Sequence, residues 1–138
     1  MMFGSVNPIG VLIAGLSQMP LGMAWYGPLF GKEWTKLMNF SEKSMAESKK
    51  NMGPTYATQM GASLLQAFVL SLIADATQAD TTMQFILLGF WIWLGFTATV
   101  QLTGKLFSGK PFNLKLYAID TGYQLTVMLM MAIILSLF

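Results

Sequence analysis

Charge-free runs cover residues 1–31, 51–74, 81–104 and 121–138, and short polar stretches separate them. Each run is about as long as the ~20 apolar residues that carry an α-helix across a bilayer. The pattern predicts four spans at about 8–30, 55–76, 82–104 and 114–138, in a single membrane domain over 1–138. Local signals place the helix ends. Asn7-Pro8 suits an N-cap followed by proline at the first helical position, and Pro20 predicts a kink further along. No Lys or Arg precedes the first apolar run, which is also too long for a signal-peptide core, so a retained first span is expected. Gly53-Pro54 predicts a break that starts the second span. Asp80-Thr81-Thr82 offers an N-cap for the third, Ser108-Gly109-Lys110-Pro111 a turn, and Asn113 a cap for the fourth. In the polar stretch Lys32–Asn51, Trp34, Leu37 and Met38 stand at i, i+3 and i+4. That spacing predicts a short helix lying in the membrane interface, with Ser41–Lys50 as connecting loop.

Short connections make neighbouring helices antiparallel partners, so the expected fold is an all-α bundle of four antiparallel spans. Orientation follows from the lysines. Lys32, Lys36, Lys43, Lys49 and Lys50 fall in the first connection, and Lys105, Lys110 and Lys115 in the third. Both connections lie on one side of a four-span protein. The positive-inside rule makes that side cytoplasmic and puts both termini outside.

Composition narrows the chemistry. At 54% hydrophobic and 10% charged, against about 25% charged in ordinary globular chains, the protein has too few charges to cover a soluble domain. The chain contains no histidine and no cysteine, which excludes imidazole or thiolate metal sites, His-ligated haem and the common nucleophile–base pairs. Every basic residue is lysine, so the bidentate arginine fork is missing. Interleaved Glu33, Glu42 and Glu47 argue against nucleic-acid binding. No cofactor and no metal is expected. The twelve methionines suit adaptable packing.

Polar side chains at membrane depth are the informative ones, because lipid offers them no partner. Trp25, Tyr26, Gln59, Gln101 and Asp120 fall near the lysine-bearing end of their spans, and Gln18, Gln66 and Gln124 lie nearer the middle. Gln59, Ser63 and Gln66 share one helix face, as do Asp120 and Gln124. A hydrated polar cavity and plain interhelical hydrogen bonding both fit this layer. Asp120 is the sole carboxylate well inside a span. Its candidate partners are Gln101, Gln59, Tyr26 and Trp25, with Lys115 one residue beyond i, i+4 spacing or a first-loop lysine as the counter-charge. Small pairs at packing spacing (Gly10/Ala14, Ala57/Gly61, Gly27/Gly31) permit close helix contact. Trp91 and Trp93 read as lipid-facing or packing residues. Leu29-Phe30-Gly31-Lys32 is echoed by Leu106-Phe107-Ser108-Gly109-Lys110, which reads as shared membrane-edge chemistry.

Gly22-Met23-Ala24-Trp25-Tyr26-Gly27-Pro28-Leu29-Phe30-Gly31-Lys32-Glu33-Trp34 resembles the signature of a family of small bacterial membrane proteins, domain of unknown function 1761. Trp93-Leu94-Gly95-Phe96 and Asp120-Thr121-Gly122-Tyr123 resemble that family's later landmarks. The resemblance implies a four-helix fold in the bacterial inner membrane and brings no reaction with it. The expected role is therefore non-enzymatic: association in the bilayer, as a homo-oligomer or as an accessory subunit of a larger membrane complex. The alternative is a small transporter or channel with a cytoplasm-facing polar cavity around Asp120.

Overall fold

The computed structural model describes residues 6–138, so the first five residues of the expected domain lie outside the described residues. Every regular element among the described residues is helical: α1 (Pro8–Leu16), α2 (Gln18–Ala24), a π-helical segment (Trp25–Leu29), α3 (Gly31–Met38), α4 (Glu42–Lys50), α5 (Met52–Ala76), α6 (Thr82–Ile92), a second π-helical segment (Trp93–Ala98), α7 (Thr99–Leu106) and α8 (Leu114–Ser136). Joined end to end they form four apolar rods, Pro8–Leu29, Met52–Ala76, Thr82–Leu106 and Leu114–Ser136. At ~1.5 Å rise per residue each exceeds the ~30 Å hydrocarbon layer. The protein is a four-helix, multi-pass membrane bundle.

The helix starts follow their caps. The Asn7 side chain accepts from the Ile9 amide at 2.9 Å, with Pro8 in the first turn. Thr81 and Gln84 form a reciprocal capping box at α6, and Asn113 accepts from the Leu116 amide at 3.0 Å. Gly109, at φ +80, makes the turn before α8. Pro20 breaks the first span one turn upstream, between Leu16 and Gln18, because its ring displaces the carbonyl four residues earlier.

Two expectations are corrected. Gly53-Pro54 does not break the chain: α5 begins at Met52, and Pro54 sits in its first turn, where amides have no intrahelical acceptor to lose. Ser41–Lys50 is not loop. Ser41 caps α4 by accepting from the Ser44 amide at 3.1 Å, Glu42 lies in the first turn, and Lys49 and Lys50 lie in the last, all in register with the helix dipole. Asn39, in the left-handed region (φ 52), ends α3 and turns the chain into α4.

The core is built from small and flexible residues: Ala14, Ala67, Leu70, Val127, Met131, Ala132 and Leu135. Gly15 lets the first two spans close up, since a Cβ there would lie 3.0 Å from the Leu64 backbone. Gly10 meets Phe138, so the start of the first span touches the end of the fourth. The start of the third also meets the end of the fourth, where Thr82 and Ser136 hydroxyls bond at 3.0 Å. Of the small pairs expected to pack, Gly10/Ala14 does so. Ala57/Gly61 is exposed, and Gly27/Gly31 makes no interhelical contact: Gly27 borders open space and Gly31 faces the Tyr26 carbonyl of its own turn.

Candidate functional site

The first π turn has a plain cause. Pro28 has no amide to give to the carbonyl of Ala24, and the helix widens so that the Phe30 amide donates to the Trp25 carbonyl, five residues back, at 2.8 Å. The widened turn swings the Tyr26 carbonyl over Gly31, where a Cβ would come within 2.5 Å of it. Trp25 and Tyr26 are thereby aimed at α8. The third span repeats the device at Trp93-Leu94-Gly95-Phe96, with no proline to account for it.

Both π segments grip α8, at carbonyls two residues apart. The Trp25 indole donates to the Ile119 carbonyl at 3.0 Å, and the Trp93 indole donates to the Thr121 carbonyl at 2.9 Å. Between them, Asp120 is fully engaged: one carboxylate oxygen accepts from the Tyr26 hydroxyl at 2.7 Å and the other from the Lys105 ammonium at 2.7 Å. The Thr121 hydroxyl donates to Gln101 at 2.8 Å. The Trp25 ring also packs against Gly122, where a Cβ would lie 3.5 Å from it. Tyr123 packs edge-on against Tyr26 at 5.1 Å, and its hydroxyl reaches the Gln18 carbonyl at 3.4 Å. Each side chain or backbone of Asp120-Thr121-Gly122-Tyr123 thus has an assigned contact on another span.

The expected partners of Asp120 are partly corrected. Tyr26 bonds it, and Trp25 bonds the neighbouring carbonyl, but Gln101 goes to Thr121 and Gln59 to Gln18. The counter-charge is Lys105, in the last turn of α7, not Lys115 or a first-loop lysine. Lys115 instead pairs with Glu33 of α3 at 2.8 Å. That bond, with the charge of Lys115 behind it, holds the Glu33 carboxyl below its ordinary value. Gln124 is half-buried and makes no hydrogen bond among the described residues.

A second polar network lies nearer the middle of the bundle. Gln18, 3% exposed, donates to the Gln66 side chain at 2.6 Å and to the Met131 sulfur at 3.5 Å, and accepts from Gln59 at 3.4 Å. Gln59 also bonds Ser63 at 3.2 Å. The polar layer therefore divides in two. One part joins the first, third and fourth spans around Asp120, and the other ties the second span to the first through Gln18. Gln18 was legible as a mid-membrane polar residue, but its role as the hub was not. Lys105 was missed because the expected third span stopped one residue before it.

Such an arrangement, charge and amides satisfied between apolar helices, defines a polytopic membrane protein locked by buried polar contacts. Over residues 9–136 the chain matches the family described as Protein of unknown function (DUF1761), an uncharacterised family of small membrane proteins, and it belongs to that family. No curated protein and no solved structure matches it.

Proposed function

We propose that the protein is a non-enzymatic component of the bacterial inner membrane that works by association, as a homo-oligomer formed through the outward face of α5. In this reading the four spans are antiparallel neighbours, the eight lysines face the cytoplasm and both termini lie outside.

The observation that carries the proposal is the polarity of an unpacked helix face. Thr55, Thr58, Gln59 and Gln66 are exposed on α5, interleaved with exposed Gly53, Ala57, Gly61 and Ala62. Pro54, Thr55, Thr58, Gln59 and Ala62 line a shallow groove of about 390 Å³. Gln59 and Gln66 keep their bonds to Gln18, and the Thr58 hydroxyl donates to the Pro54 carbonyl at 2.8 Å, yet each retains hydrogen-bonding capacity that lipid cannot meet. A neighbouring helix can meet it, at roughly 0.6–2 kcal/mol per contact, and small residues let backbones approach. The transporter reading draws less support, because both oxygens of Asp120 are already occupied within the chain.

The cysteine-free sequence makes the test direct. Thr58→Cys, oxidised in native membranes, is expected to give a cross-linked dimer, while Val100→Cys, exposed on the third span, is expected to give little. Equal cross-linking at both positions, or a Thr58→Cys adduct to a different protein, would overturn the homo-oligomer. Ion or solute flux that disappears in Asp120→Asn would favour the transporter instead.

A further inference from the structure

The end of the bundle opposite the lysines holds a half-open cavity of about 1080 Å³ between the starts of the first and third spans and the ends of the second and fourth. Among the described residues its polar wall includes Ser71, Asp75 and Asp80, and its apolar wall Phe85, Leu135 and Phe138. Ser71 and Asp75 stand at i, i+4 on one face of α5. Ser71 is 9% exposed, lines the cavity, and its hydroxyl makes no hydrogen bond to any described residue. Neither aspartate forms an ion pair with a described residue: the ion pairs among those residues, Lys105–Asp120 and Lys115–Glu33, both lie at the other end.

The donor set and the size select the ligand. No group of three or more acidic, His or Cys side chains converges among the described residues, so a multi-carboxylate metal cage is not built here. The volume is just above the ~300–1,000 Å³ typical of organic-ligand pockets. Two carboxylates without an ion pair among the described residues, a serine hydroxyl without a hydrogen bond among them, and an aromatic–aliphatic wall together match a cation with N–H donors and an apolar body. We propose that this cavity binds an amphiphilic organic ammonium, whose N–H groups donate to Asp75 and Ser71 and whose hydrocarbon rests on Phe85, Leu135 and Phe138. Asp80, at the rim, adds field without a required contact. The site is independent of the α5 groove and of the Asp120 network.

The full chain in lipid nanodiscs is titrated calorimetrically with 4-phenylbutylammonium and, in parallel, with the uncharged 4-phenylbutanol. Saturable binding of the ammonium is expected, with the alcohol at least about tenfold weaker, the loss of a charge-assisted hydrogen bond. Asp75→Asn should weaken the ammonium by a similar factor and Ser71→Ala by roughly threefold, with Asp120→Asn unchanged. Equal uptake of ammonium and alcohol would reduce the effect to partitioning into an apolar space and overturn the proposal. Undiminished binding by Asp75→Asn would do the same. The comparison of the two probes on the unaltered protein stands even if a variant fails to fold.

Discussion

Replacing Asp120 by leucine removes the acceptor shared by Tyr26 and Lys105 while keeping a side chain of similar reach. The two losses differ in size. The Tyr26 hydroxyl donates at 2.7 Å from a half-buried position, and a hydrogen bond to a charged group contributes about 1.5–3 kcal/mol. The Lys105 pair is equally short, but its side chains are 28% and 17% exposed, so Lys105 can turn back to water. Discounted for that solvent contact, the pair contributes roughly 0–1 kcal/mol. Leucine recovers part of the loss by burying hydrocarbon. A net destabilisation of about 1–3 kcal/mol is expected, read as a shift in the SDS-induced unfolding midpoint in mixed micelles. Asp120→Asn keeps an oxygen for Tyr26 and should lose less than about 1 kcal/mol. A cycle pairing Asp120→Leu with Tyr26→Phe should show strongly non-additive losses, because both changes remove the same bond. An unfolding midpoint for Asp120→Leu equal to wild type, or an Asp120→Asn variant as damaged as Asp120→Leu, would refute this account of how α8 is held.

Gly31→Ala forces the Tyr26 carbonyl to move from a 2.5 Å approach and should cost about 1–3 kcal/mol, whereas Gly27→Ala, in open space, should stay within about 0.5 kcal/mol; parallel melts compare them. Trp93→Phe keeps the ring but gives up the bond to the Thr121 carbonyl, and a loss of about 0.5–1.5 kcal/mol in the same assay is expected. Glu33 titrates below its ordinary 4.5 because of Lys115. A depressed folded pKa gives stability that is present above the unfolded value and fades as pH falls through the folded one. On so exposed a residue the effect on melting is small, and the direct readout is the NMR titration midpoint of Glu33. It should rise toward 4.5 in Lys115→Met, and an unmoved midpoint would contradict the pairing.

The four spans were legible because the bilayer writes length and apolarity into a sequence directly, and the caps at Asn7, Thr81 and Asn113 were legible because capping is local. Features that depend on another helix were less so. Asp120 and Tyr26 could be placed at one depth, but depth alone did not choose Lys105 over Lys115. That choice rests on which side of α8 faces α7, a packing outcome. The π turns were visible only as two motifs of similar residue types, since the widening comes from Pro28 in one case and has no sequence-local cause in the other. Helix α4 was passed over although Ser41, Glu42, Lys49 and Lys50 carry cap and dipole signals, because its lack of an apolar stripe reads as loop. Ala57 and Gly61 illustrate the opposite case. Their spacing announces close contact, yet within one chain they touch no neighbouring helix.

That vacant face makes the state of assembly the decisive quantity. The mass of the particle, extracted from native membrane in its own lipid by polymer nanodiscs and released intact in the mass spectrometer, reads it without any substitution. The account predicts a whole-number multiple, two or more, of the 15.2 kDa chain, collapsing to the single chain when Thr58 and Ala62 are both changed to leucine. A wild-type particle containing one chain and no other protein would contradict it.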